Sequence, residues 1–443
     1  MIHALSALRD LDGWKRTKAA LLSLWFFLTV TTLWLLKPVR VASLLAHLGA
    51  AETPYVRLAA VAVVAIVVLF YSRVVNRLTR LQVARGAAAI FATVLVGFWL
   101  AIHFGGAALG AKRPFVWAVY ILVEIYATVM VGIFWTYAND VVSSDEADRL
   151  YGLVGLGGIL GGIAGGAFVD ALAKPLGAIN LLLVCAALVI ASGAVATVCE
   201  RVLRPRPRRA SREPEGGFSA ALEGARDVAR SGYLRLLVGI VIAYEFTATL
   251  TDFVINVIFE RSFSSEGELA KMYGRLGWVA SATAVVSQLF LVPRLLPRKR
   301  VALLVPPLAM AVAALGTGLL PVVALAFVLG ASDRGLNYSL HQSVKETLYV
   351  PLSDSEKYKA KAFIDMFVDR AAKALAALVL IGVIAQAGLS VRVSIVASLL
   401  AVGAWIYAAR ALGKKIGSPA LTPPMPRASV PPPGGHPAAS HAG

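Results

Sequence analysis

The sequence predicts an all-α polytopic membrane protein, with about twelve transmembrane helices in two six-helix halves. Three observations carry this expectation. Hydrophobic residues make up 58% of the 443 residues and charged residues only 15%, whereas a soluble domain carries about 25% charge. Apolar runs of roughly 17 to 25 residues recur along the chain, long enough to cross about 30 Å of hydrocarbon at helical rise. One long polar segment, rich in arginine, then divides those runs six and six, the usual form of a duplicated transporter.

Taken in order, the expected spans are 17–37, 55–75, 83–104, 115–139, 150–173 and 177–200 in the first half. In the second they are 232–258, 272–295, 300–319, 321–344, 361–386 and 389–411. The domains follow as an N-terminal bundle over 1–199, a basic cytoplasmic linker over 200–231, a C-terminal bundle over 232–416, and a disordered tail over 417–443. The tail reads SPALTPPMPRASVPPPGGHPAASHAG and offers too little apolar surface to bury. The N-terminal MIHALSALRDLDGWKRTK carries acidic residues and no small-residue cleavage site, so it reads as a cytoplasmic lead-in helix, not a signal peptide.

A net charge of +18 raises the question of nucleic acid, and the distribution of charge answers it. Arginine and lysine gather in alternate loops: Arg73, Arg77, Arg80 and Arg85 after the second span, 201–230 after the sixth, and Arg294, Arg298, Lys299 and Arg300 after the eighth. The positive-inside rule accounts for this pattern, placing both termini in the cytoplasm and requiring no nucleic-acid partner. Basic loops of this kind also attract the anionic lipid of the bilayer. Cys185 and Cys199 fall on one helix, about 21 Å apart at helical rise, and cannot pair with each other.

Internal echoes support the duplication. Tyr55-Val56-Arg57-Leu58 opens the second span and Tyr273-Gly274-Arg275-Leu276 opens the eighth; SSDEADR precedes the fifth and SDSEKYK the eleventh. Gly157, Gly161 and Gly165 recur at four-residue intervals, a small-residue face for close helix contact. A phosphate loop is excluded, since no Walker lysine follows and the dinucleotide spacing fails at Leu160.

Charge within the spans is the functional signal, because it is costly in a bilayer. Glu124 lies about 14 Å into the fourth span and reads either as an ion pair locking two helices or as a transport-pathway residue. Lys37 stands before Pro38 at the far edge of the first span, where snorkelling is the alternative to a pathway role. Arg40 follows it. Glu245 and Asp252 share a face of the seventh span, with Asn256 one turn on. The tenth holds Asp333 and Arg334, and Lys345 at its cytoplasmic end reads equally as an anchor or a pathway group. Asp365, Asp369 and Lys373 recur every four residues and can pair along one helix. Basic groups in such a cavity suit an anionic solute. No metal-ligand cluster, nucleophile elbow or Walker motif argues for an enzyme, a cofactor or a metal; His341 with Asp333 has no third ligand.

Two stretches then carry a family likeness. FWTYANDVVSSDEADRLYGLVGLGG (134–158) and YSLHQSVKETLYVPLSDSEKYKAKAFID (338–365) resemble motifs of the ATP/ADP translocases, nucleotide transporters of plastids and obligate intracellular bacteria related in fold to the major facilitator superfamily. The resemblance implies a major-facilitator-like fold, with substrate-pathway positions at Lys37, Glu124, Asp252 and Lys345. It departs at Asn256, where the family has lysine, at the extra acid Glu245, and at Gln342-Ser343-Val344. Losing a cation and gaining an anion weakens attraction for a nucleotide of charge about −4.

The expectation is therefore a secondary transporter working by alternating access on an anionic solute, a nucleotide or another phosphorylated or organic anion, by ATP/ADP-type exchange or proton-coupled uptake. Lys37, Arg40, Asn256, Arg334 and Lys345 would meet the solute; Glu124 and Asp252 would do so and also gate or couple, with Glu245 and Asp333. The alternative is a transporter-derived membrane protein that moves nothing and binds a partner through its basic loop or its tail.

Overall fold

The breaks between spans in the computed structural model are set by local chemistry at each turn. The structure describes residues 13–75, 77–203 and 218–416, so the expected tail, most of the lead-in and much of the basic linker lie outside the described residues. Eleven helices among these residues are long and apolar enough to cross a membrane. In the first half they are α1 (Gly13–His47), α2 (Thr53–Val75), α3 (Arg80–Gly105), α4 (Arg113–Val141), α5 (Ser144–Leu176) and α6 (Leu181–Leu203). In the second come α7 (Gly232–Ser262), α8 (Glu266–Leu295), α9 (Lys299–Leu319), α10 (323–348), α11 (354–387) and α12 (Val391–Lys415).

The segment outside the eleven is α10, the expected tenth span. It runs helically through a π turn at Asn337–His341 to Leu348, and Asp333, Arg334, Lys345 and Glu346 dilute its apolar character. Further π turns interrupt α8 at Ser287–Leu291 and α11 at Ile364–Val368. Those of α8 and α10 touch, Ser339 donating to the Ser287 hydroxyl at 2.8 Å.

With an even number of crossings, both ends of the described chain lie at one end of the bundle, here called proximal. Four helices entering from that end, α3, α5, α7 and α11, begin on Ser or Thr caps. Thr79, Ser143 and Ser353 each form a capping box, with Gln82, Glu146 and Glu356. The acidic echo before α5 and α11 is thus a repeated helix start. At the distal end Gly49, Gly106, Gly177 and Gly388 take positive φ, where a side chain would be strained.

Helix α1 differs from its expected span of 17–37. Pro38 removes only the backbone bond that would reach Trp34, the apolar residues beyond it continue the helix to His47, and Lys37 therefore lies inside the bundle instead of at the membrane's edge.

The glycine face of α5 packs on α1. A methyl group added at Gly157, Gly161 or Gly165 would fall within 2.5–2.6 Å of the carbonyls of Ser23, Phe27 and Thr31. Such approach lets dispersion and small-residue packing join helices where lipid supplies no hydrophobic drive. Farther along, Gly166 of α5 meets Gly274 and Trp278 of α8, so one helix seals both its own half and the joint between halves. That joint is concentrated distally. Asp170 accepts from Arg275 at 3.1 Å and from the Trp278 indole at 3.0 Å, Lys174 pairs with Glu268 at 3.2 Å, and the Ala50 amide donates to Glu260 at 2.9 Å. At the proximal end, Lys18 pairs with Glu146 and Arg80 with Asp140, each within the first half.

Before α7 the linker forms a helix of its own, Phe218–Arg230, which lies on the first turns of α11. Gly224 sits against the Lys359 carbonyl, and the Lys359 ammonium, 2.8 Å from Glu223, holds that carboxyl below the usual carboxylate range.

Gly161→Leu is expected to destabilise the protein by about 1–3 kcal/mol, since the side chain meets the α1 backbone. Gly152→Ala, with no atom within 4 Å of the added group, should be neutral or up to about 1 kcal/mol stabilising. Thermal unfolding of both variants in detergent checks the pair; equal melting temperatures would remove the seam from the account of stability.

Candidate functional site

Helical spacing brings the intramembrane charges to one place. Between the halves lies a cavity of about 520 Å³. Lys37 and Arg40 are three residues apart on α1, and Tyr120 and Glu124 four apart on α4, so each pair shares a face. Helix α2 contributes Arg57, and α7 contributes Tyr244, Glu245, Asp252 and Asn256. Tyr273 comes from α8, Asp333, Arg334 and Tyr338 from α10, and Asp369, Arg370 and Lys373 from α11. The wall thus carries six basic and five acidic side chains.

These charges are mostly spoken for. Arg40 donates to Glu124 and lies 4.3 Å from the centre of the Tyr120 ring, within the first half. Asp252 is shared: Arg57 of the first half donates to one of its oxygens at 2.6 Å, and Arg334 of the second to the other at 2.8 Å. The three side chains are 21–29% exposed, which keeps them wet enough to exchange partners yet desolvated enough for charge to matter. In the second half Lys373 lies 2.8 Å from Asp369 and 3.5 Å from Glu245. Lys37 stands 4.8 Å from the Trp34 ring centre, a cation–π contact.

Two polar groups are placed differently. Asn256 is 4% exposed, donates to the Thr53 hydroxyl at 3.2 Å and accepts from the Tyr273 hydroxyl, so its amide joins the halves at the cavity's edge. Asp333 is 5% exposed, and its Oδ1 has no hydrogen-bond partner among the described residues.

Of the residues singled out from sequence, Lys37, Arg40, Glu124, Glu245, Asp252, Asn256, Asp333 and Arg334 line this one cavity. Lys345 does not. It lies near the proximal end of α10, 3.7 Å from Asp365, because the helix carries it beyond the π turn and away from the chamber. The expected stripe of Asp365, Asp369 and Lys373 is also divided. The π turn at Ile364–Val368 breaks the four-residue register, leaving Asp365 with Lys345 while Asp369 and Lys373 face the cavity.

Arg57 and Arg370 were missed as site residues. Arg57 stands inside the Tyr55–Leu58 echo, the one signal that could have found it, but its counterpart in that echo, Arg275, pairs with Asp170 at the distal joint instead. Among the described residues no three His, Cys, Asp or Glu side chains converge as metal ligands. His341 packs between Tyr244, tilted against it, and the edge-on Trp405, with ring centres 4.7 and 5.2 Å away, a packing role.

Comparison with known proteins agrees with this architecture. The family model described as TLC ATP/ADP transporter matches residues 108–416. The chain is 28% identical over 295 residues to "ADP,ATP carrier protein 1, chloroplastic" of Arabidopsis thaliana, covering 59% of this chain and 47% of that protein. It thus spans about half the length of that plastid relative. It is 24% identical over 404 residues to "ADP,ATP carrier protein 2" of Chlamydia trachomatis, covering 74% of each. Among solved structures, the POT family transporter PepTSo superposes with a TM-score of 0.63 at 12% identity, covering 90% of this chain and 98% of that one, a likeness of fold. This multi-pass, major-facilitator-like chain belongs to the TLC ATP/ADP transporter family.

Proposed function

We propose that the protein moves a nucleotide or another phosphorylated or organic anion across a bacterial cytoplasmic membrane by alternating access. The observation that carries this reading is the sharing of Asp252 between Arg57 and Arg334, from opposite halves, in the wall of a charged central cavity. An entering anion adds negative charge beside the two guanidinium groups and weakens their hold on Asp252. With the ionic link between the halves weakened, the distal joint can open. The family's relatives named as ADP,ATP carriers support a nucleotide as the solute. Basic residues at the proximal end, among them Arg73, Arg80, Arg294 and Arg298, support a cytoplasmic placing of that end and of both termini. A partner-binding scaffold would have no use for charges held in a wet chamber at this cost. Exchange of one anion for another and proton-linked uptake both suit the cavity; the response to an imposed pH gradient separates them.

Purified protein in proteoliposomes should show saturable uptake or exchange of a labelled nucleotide or phosphorylated metabolite. Lys37→Ala and Glu124→Gln are each expected to lower the initial rate at least tenfold; unaltered flux in both, or none with the parent protein, would sink the transport reading. Thermal shift is a parallel check, since a ligand at 100 times its dissociation constant should add about 2.7 kcal/mol.

Asp252→Asn should cost about 2 kcal/mol, between the values typical of exposed and buried ion pairs. Its effect should be strongly non-additive with Arg334→Gln, measured by chemical or thermal unfolding of the two single variants and the double. Additive losses would show that the two side chains act independently.

A further inference from the structure

We propose that the cavity selects an organic anion with the charge of a single phosphate monoester attached to an aromatic ring, the nucleoside monophosphate class. We further propose that Lys37 and Arg370 are the cations that take its charge. The proposal rests on the transport reading above and narrows its substrate.

The charge available to a solute is not the number of basic groups in the wall but the number left uncommitted. Glu124 occupies Arg40, Asp252 occupies Arg57 and Arg334 together, and Lys373 is held by Glu245 and Asp369. Lys37 and Arg370 remain: among the described residues neither has a carboxylate within 4.0 Å, and both line the cavity. They come from opposite halves, α1 and α11. A phosphate monoester carries about −1.5 to −2 at neutral pH, which two cations match.

A longer phosphate chain would fare worse. Each added phosphoryl group brings further negative charge, while the cavity's uncommitted residue of the opposite kind is an acid, Asp333, with no cation within 4.0 Å among the described residues and one oxygen without a hydrogen-bond partner. The additional charge would have to face that carboxylate or dismantle the pairs of Arg40 or Asp252. A bare nucleoside gives Lys37 and Arg370 nothing to pair with. For the ring, Tyr338 lines the cavity at 51% exposure and touches Trp34 through an edge contact, with ring centres 6.1 Å apart. It offers a face on which a base can stack.

The test uses the full chain in detergent and in proteoliposomes, without divalent cations and at fixed ionic strength. Adenosine, AMP, ADP and ATP are compared by thermal shift and by competition for uptake, with the uracil series and inorganic phosphate alongside. Half-maximal effect is expected at a concentration at least tenfold lower for the monophosphate than for the triphosphate, with little effect from the nucleoside or from phosphate alone. Arg370→Gln should weaken the monophosphate at least tenfold, and Arg370→Lys should restore much of the loss, which a purely structural role would not. Asp333→Asn should shift preference toward the longer chains.

If the triphosphate acts as well as the monophosphate, or better, the charge assignment is overturned while the transport reading stands. If inorganic phosphate matches the monophosphate, the aromatic requirement is overturned. If no compound in either series binds or moves, the proposal falls together with the nucleotide reading.

Discussion

The carboxylate of Asp252 is where paired charge joins the two halves in the wall of the central cavity. Each of its oxygens faces an arginine from a different half, Arg57 on α2 and Arg334 on α10. A charge this deep is tolerable only with partners or water, and here the partners come from opposite halves. The pairing therefore ties the relative position of the halves to the balance of charge between them.

Around this point the contacts within the first half differ in kind from those between the halves. The α1–α5 seam brings glycines of α5 against the backbone of α1 at Ser23, Phe27 and Thr31, and it belongs wholly to the first half. At the distal joint Asp170, Lys174, Glu260 and Asn256 make polar contacts between halves, weak individually and interchangeable with water. The second half contains the π turns of α8, α10 and α11, with two of them in contact through Ser287 and Ser339. Such turns are frequent at functional sites, and those of α10 and α11 adjoin Arg334 and Asp369.

Much of this was legible in the order of residues. Apolar length and the single polar divider anticipated the spans and the division into halves, because a bilayer imposes helix and length on any segment that crosses it. The rarity of charge inside those spans pointed to Lys37, Glu124, Asp252 and Arg334. Tandem spacing located Glu245 and Asp252 on one face. The glycine interval of α5 announced close packing but not its two neighbours, which come from distant parts of the chain. Lys345 looked equivalent to the others by its charge and motif, and only the winding of α10 past the π turn removed it from the chamber.

Sequence by itself determined the membrane class, the helical content, the six-and-six organisation and the family likeness, since each follows from local composition or from short runs read along one strand of chain. Tertiary structure decided which charges cancel. Arg40 with Glu124, and Asp252 between Arg57 and Arg334, are pairings across 82 to 195 residues. No pattern along the chain encodes them, because they depend on how whole helices rotate against each other. The charge left unpaired in the cavity wall is the remainder after those pairings, and so becomes visible only once the helices are in place.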